Sequence, residues 1–146
     1  MSSVEDELPD EIYETIESLS DAGQKLFESG NSKAATAKWN EALALLPDPK
    51  NKWEAALWLY GALGDAYRSE GRLDDSLSYF QSAYNSADGH LNPYILCMLG
   101  VTLYDLNRKE EAVDFLLQAY MLEGEEIFEE EGQKYYDFLV QKKLIK

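Results

Sequence analysis

Apolar residues recur at intervals of three and four along most of the chain, and this period is typical of amphipathic helices. The clearest case is the stretch 56–87, where two apolar stripes follow one another. The first consists of Leu57, Tyr60, Leu63, Gly64 and Tyr67, and the second of Leu73, Leu77, Phe80, Ala83 and Tyr84. Only Glu70-Gly71-Arg72 separates them. Because so short a turn forces two helices to lie antiparallel, the stretch predicts a helical hairpin.

The same period predicts two more hairpins and a final helix. We place the hairpins at about 10–47, 51–88 and 92–123, and a capping helix at about 124–142. The apolar face of that last helix carries Phe128, Tyr135, Phe138 and Leu139. Residues 1–9 are polar and acidic, so we expect a flexible N-terminal segment ahead of a single domain at 10–146. The predicted fold class is all-α.

Small and large residues repeat at fixed distances from three glycines, which are Gly23, Gly64 and Gly100. Seven residues on come Gly30, Gly71 and Asn107, which suit a left-handed turn that closes the first helix. Twelve and nineteen residues on, the chain has small residues, which are Ala35, Ser76, Ala112, Ala42, Ala83 and Ala119. Sixteen residues on, it has the large residues Trp39, Phe80 and Leu116. The small residues allow two helices to approach closely, and the large residue fills the remaining gap.

This pattern, over roughly 18–122, resembles the tetratricopeptide repeat, a helix-turn-helix unit of about 34 residues. The leading glycines are 41 and 36 residues apart, so the units are not uniform, and only the first ends in proline, Pro47. The alternative is three unrelated hairpins that share small residues by chance. The resemblance implies a short superhelical solenoid, with the first helix of each hairpin on the concave side and a terminal helix as its cap.

Charge is the outstanding feature of the composition. The chain has 28 Asp and Glu against 13 Lys and Arg, which gives a formal net charge of -15. Such a field repels nucleic acid and anionic membrane surfaces and attracts a basic protein partner. The alternative is that the acids only keep a small helical protein in solution.

Cysteine usage and hydropathy bear on the compartment. Cys97 is the single cysteine, which favours a reducing environment. No apolar run approaches the roughly 20 residues that a membrane span needs. The N-terminus carries acids where a signal peptide has basic and then apolar residues. We therefore expect a cytoplasmic protein, monomeric by preference.

Few residues offer chemistry for catalysis. His90 is the only histidine and lies in a predicted loop, and Cys97 lies among apolar residues with no histidine near it. The sequence has no glycine-rich phosphate loop and no calcium-loop spacing. We therefore predict no enzyme, no catalytic residues, no cofactor and no metal.

The concave face follows from the packed face by helix geometry, because it lies opposite the leading glycine. An aromatic and an acid recur on it in each predicted first helix and in the cap, and aromatics flanked by charge are typical of binding hot spots. The predicted partner-binding residues are Phe27, Trp58, Asp65, Arg68, Tyr94, Tyr104, Asp105, Tyr136 and Asp137. The same frame also places Gly61, Cys97 and Val101 on this face. The alternative is a narrow groove in which these rings pack on one another or on the N-terminal segment.

The resemblance also bears on the partner. Repeats of this family that hold a chaperone's C-terminal carboxylate use lysines and asparagines, whereas the matching positions here hold Ser20, Gln24, Gly61 and Asp65. An acidic groove should prefer a basic or neutral segment. The chain is similar to small acidic bacterial tetratricopeptide proteins that act as immunity proteins beside polymorphic toxins, which favours a stoichiometric inhibitor. The alternatives are a co-chaperone or assembly adaptor that binds segments of several partners and, last, an enzyme.

Overall fold

The computed structural model describes residues 7–145, so residues 1–6 of the predicted N-terminal segment lie outside the described part. Within it the chain forms seven α-helices and no strand, which confirms the all-α prediction. The helices are α1 (Asp10–Glu28), α2 (Ser32–Ala44), α3 (Glu54–Ser69), α4 (Leu73–Tyr84), α5 (Pro93–Asp105), α6 (Lys109–Glu123) and α7 (Gln133–Gln141). Short 3-10 turns at Lys50–Lys52, Gly89–Leu91 and Glu125–Phe128 connect some of them.

The first six helices form three antiparallel hairpins, α1–α2, α3–α4 and α5–α6, and each hairpin packs on the next through α2–α3 and α4–α5. The result is the expected short stack of repeats. The residue that closes the first helix of each pair has a positive φ, 89° at Gly30, 77° at Gly71 and 65° at Asn107. The predicted left-handed turns are thereby confirmed.

The small and large residues of the repeat pack as predicted. A Cβ placed on Gly64 would lie 2.6 Å from the Phe80 ring, and one on Gly100 would lie 2.5 Å from Leu116. In the first hairpin the Trp39 ring fills the space beside Gly23, and its indole N–H donates to the Ser20 carbonyl at 3.2 Å. The two helices of each hairpin therefore approach as closely as a residue without a side chain permits.

The hydrophobic core consists of two clusters. One centres on Trp39 and joins the first hairpin to α3, and the other centres on Phe80 and Leu116 and joins α4, α5, α6 and α7. Tyr60 is partly buried against both clusters. Helix α5 is buried without interruption from Ile95 to Leu103, because helices cover it on more than one side.

The capping segment differs from the single helix expected over 124–142. A 3-10 turn occupies Glu125–Phe128, and α7 begins only at Gln133. Gly124 and Gly132 have φ of 77° and 127°, values that L side chains rarely adopt, so the chain leaves the helical conformation at both glycines. This break allows Phe128 and Tyr135 both to be buried at the end of the stack.

Candidate functional site

A groove runs between α1, α3 and the start of α5, the first helices of the three hairpins, which the sequence places on the concave side. It holds two adjoining cavities of about 290 and 300 Å³, which share Ser20 and Trp58. Trp58 stands between them with 56% of its surface exposed. A large aromatic ring is costly to leave in water, so its exposure between two cavities marks this groove as the candidate binding site.

The two cavities differ in their linings. The N-terminal cavity, between α1 and α3, is lined by Tyr13, Ile16, Glu17, Asp21, Glu54 and Trp58 among others. The central cavity, between α1, α3 and α5, is lined by Gln24, Phe27, Trp39, Asp65, Tyr94 and Ile95 among others. Neither set of lining residues, drawn from 7–145, includes a lysine or an arginine. The groove is thus acidic at one end and mainly aromatic in the middle.

Asp65 and Tyr94 form a pair across α3 and α5. The Tyr94 hydroxyl donates to Asp65 Oδ1 at 2.5 Å, while 40% of the tyrosine's surface remains exposed. Burial raises the pKa of the Asp65 carboxyl to about 6, and Glu131 adds to the rise, whereas the bond from Tyr94 and the charge of Arg68 oppose it. Asp65 therefore carries most of its charge at pH 7 and loses it in mild acid.

An ionic cluster closes the groove beyond Tyr94. Arg68 Nη2 donates to Asp105 Oδ2 at 2.6 Å, and its Nε lies 3.8 Å from Glu131. The Tyr135 hydroxyl of α7 donates to Asp105 Oδ1 at 2.8 Å. Burial, followed by the contact with Asp105, raises the pKa of Tyr135, so this hydroxyl keeps its proton. Arg68 and Asp105, two predicted binding residues, are thus occupied by each other and by the capping segment.

The remaining predicted residues are not all brought together. Phe27 is half-buried with its ring 6.0 Å from that of Trp39, on the wall of the central cavity. Tyr104 packs edge-on against Tyr135 of α7, a ring outside the predicted set.

The two predicted residues of α7 contact α6 and their own helix. Tyr136 packs against Tyr120 of α6, with ring centroids 6.1 Å apart. Asp137 is exposed and accepts a hydrogen bond from Gln133 of its own helix. Tyr135, the neighbouring residue, is the one that contacts the predicted binding residues Arg68, Tyr104 and Asp105.

Three residues placed on the concave face by the helical frame are buried. Cys97 and Val101 are buried, and the Cys97 thiol is 3.6 Å from the carbonyl of Ile127 in the capping segment. Gly61 is buried where it lines the central cavity. For Cys97 and Val101 the frame failed because it treats α5 as a helix with one covered side, whereas the 3-10 turn at Glu125–Phe128 and α7 also pack against α5.

Sequence reasoning missed several residues of the groove. Tyr13 and Asp21 line the N-terminal cavity from α1, and Glu54 lines it from α3. Glu54 precedes Trp58 by four residues and so lies on the same helix face, a signal that the sequence did contain. Tyr13 lies one turn before Glu17, the first of the positions compared on α1. Glu131 and Tyr135 could not be found by helix period, because the chain changes direction at Gly132.

The residues considered for chemistry lie outside the groove or are inert. Burial, with the charge of Glu131, raises the pKa of the Cys97 thiol to about 12, so it stays protonated at neutral pH. His90 is exposed in the 3-10 turn at Gly89–Leu91. Residues 7–145 hold no group of three or more His, Cys, Asp or Glu placed to bind a metal ion. None of the helices in this part of the chain is both long enough and apolar enough to cross a bilayer.

Comparison with known proteins supports the repeat assignment. The tetratricopeptide repeat family model matches residues 53–122, which hold α3, α4, α5 and nearly all of α6. A comparison with curated proteins gives no match. The crystal structure of MamA superposes with a TM-score of 0.63 at 15% identity, covering 88% of this chain and 78% of that one, so the two share a fold. The family match over 53–122, the shared fold and three hairpins with the same glycine contacts together support the resemblance to the tetratricopeptide repeat.

Proposed function

We propose that the chain is a non-catalytic module that binds a basic segment of another protein in the concave groove, with Trp58 as the anchor. The family supports protein–protein interaction as the general activity. The observation that carries the proposal is the exposed Trp58 between two cavities whose linings, within 7–145, contain acids and no base. A net charge of -15 would steer a basic partner toward this surface.

The biological role that we propose is stoichiometric inhibition, as by an immunity protein that blocks a toxin in the bacterial cytoplasm. Toxins that act on nucleic acid carry basic surfaces, and carboxylates such as Glu17, Asp21 and Glu54 can occupy the positions that phosphates would take. One monomeric copy would then bind one copy of the partner.

The test begins with affinity capture from the native cell and continues with the purified partner. The Trp58→Ala variant should weaken binding by roughly 2 kcal/mol or more, mainly through faster dissociation, because it removes a buried anchor from the complex. Leu91→Ala is the matched control, since Leu91 is also large, apolar and exposed but lies outside both cavities. Unchanged rates for Trp58→Ala would exclude the groove as the binding site.

Inhibition is tested separately. Titration of the captured partner's own activity should reach complete inhibition at one equivalent of this chain. Capture of several unrelated proteins, none of them inhibited, would instead support the co-chaperone or adaptor role.

A further inference from the structure

We infer that the groove binds two different side chains of its ligand on opposite sides of Trp58. The N-terminal cavity binds an arginine, and the central cavity binds an apolar side chain. This inference rests on the proposed function and states the chemistry of its partner. The ligand is thus a protein segment in which an arginine lies near a large aliphatic residue.

The N-terminal cavity has the components of a guanidinium site. Glu17 and Asp21 approach from α1 and Glu54 from α3, and within 7–145 the carboxylates of these three residues form no ion pair or hydrogen bond. Two aromatic rings, Tyr13 and Trp58, stand beside them with 52% and 56% of their surfaces exposed. Carboxylates accept the planar fork of a guanidinium, and aromatic faces stack on it.

The floor of this cavity favours an organic cation over a metal ion. Ile16 and Leu59 line it and are buried, so the stem of a long side chain would contact apolar surface while its charged end meets the carboxylates. The three acids also fall outside any group that could hold a metal in the described chain. Arginine fits better than lysine because only its guanidinium is flat enough to stack on Trp58.

The central cavity favours a neutral, apolar side chain. Phe27, Trp39 and Ile95 line it, and its one carboxylate, Asp65, already accepts the hydroxyl of Tyr94. Beyond Tyr94, the carboxylates of Asp105 and Glu131 are already paired with Arg68, so this end of the groove offers no unpaired acid to a second cation. The order of the two subsites is therefore fixed, with the positive charge on the side of α1 and away from Arg68.

The experiment uses defined probes. Acetylated and amidated peptides contain one arginine and one leucine, separated by zero to three glycines and flanked by Gly-Ser, and binding to the full chain is followed by calorimetry. Replacing the arginine by its neutral isostere citrulline, or the leucine by glycine, should each weaken the best peptide about tenfold or more. Equal binding of the arginine and citrulline peptides would overturn the inference.

Matched protein variants locate the charge. A triple variant should weaken binding of the arginine peptide about tenfold or more and leave binding of the citrulline peptide unchanged. It combines Glu17→Gln, Asp21→Asn and Glu54→Gln. The control variant removes the same charge from exposed positions outside the two cavities and should change binding of either peptide little. It combines Glu11→Gln, Glu14→Gln and Glu41→Gln. Equal weakening by both variants would mean general attraction and would overturn a specific guanidinium site.

The proposed function is judged independently of these peptides. If no peptide of the series binds, or the charge variants have no effect, the two-subsite inference fails. The captured partner and Trp58→Ala still decide whether the groove is the binding site.

Discussion

Asp65 is an acid whose surroundings move its ionisation toward neutral pH. Its carboxyl is partly buried, accepts the hydroxyl of Tyr94 and has a pKa raised to about 6, from the ordinary value of 3.8. Between these two values the folded protein binds the proton more tightly than the unfolded chain does. This residue therefore adds stability as the pH falls through 6 and costs stability above it.

We predict that Asp65→Asn stabilises the protein at pH 8 by about 1–3 kcal/mol, because it removes a buried charge and keeps an acceptor for Tyr94. Near pH 4 the gain should disappear, since the parent carboxyl is then protonated when folded. Urea unfolding at pH 4, 6 and 8 measures this. Asp137→Asn, at an exposed position, should change stability little at any of these pH values. A gain from Asp65→Asn that does not vary with pH would contradict the assigned cause.

Single residues also show where sequence reasoning succeeds. The exposure of Trp58 followed from its position opposite Gly64 on α3, because both belong to one regular helix. The pairing of Arg68 with Asp105 did not follow, since the two lie on different helices and are 37 residues apart. The sequence showed their common face but not that they would neutralise each other.

At the scale of helices, two glycines of α3 provide a direct test of close packing. A Cβ on Gly64 would lie 2.6 Å from the rigid Phe80 ring, whereas one on Gly61 would meet only the flexible end of Ile95, at 3.3 Å. We predict that Gly64→Ala destabilises the fold by about 1–3 kcal/mol through overpacking. Gly61→Ala should be neutral or stabilising, because alanine favours a helix by about 1 kcal/mol over glycine.

Thermal and urea unfolding of both alanine variants measures the difference. If Gly64→Ala is as stable as Gly61→Ala, the approach of α3 to α4 is not limited by Phe80. The small and large residues that recur at fixed distances from the three glycines would then have another cause.

The sequence predicts most accurately those helices that have a strong apolar period and a clear turn residue. Helices α1 to α6 follow the three hairpins, since Gly30, Gly71 and Asn107 end the first helix of each pair. The sequence predicts a capping helix that is too long, because residues 125–131 are mostly helix-forming. The conformation of Gly132 depends instead on burying Tyr135 against Tyr104. That contact joins distant parts of the chain and leaves no periodic signal.

At the scale of the whole molecule, shape and charge act together. Residues 125–141 cover the third hairpin, so the open groove is confined to α1, α3 and the start of α5. The groove there is acidic on the side of α1 and ends at the ionic cluster that Arg68 forms with Asp105 and Glu131. The formal net charge of -15 surrounds this groove with a field that favours cations and also makes the folded chain repel itself.

Self-repulsion leads to a prediction about salt. Raising NaCl from 20 to 500 mM shortens the Debye length from roughly 20 Å to about 4 Å and should raise the melting temperature, because repulsion among the acids is screened.

A variant in which glutamine replaces four exposed acids near α7 lowers the repulsion directly; the four are Glu125, Glu126, Glu129 and Glu130. This variant should melt higher than the parent at low salt and gain less from added salt. Calorimetry in NaCl and in KCl separates screening from specific ion effects. A parent melting temperature that falls with salt would show that attractive pairs such as Arg68–Asp105 outweigh the repulsion.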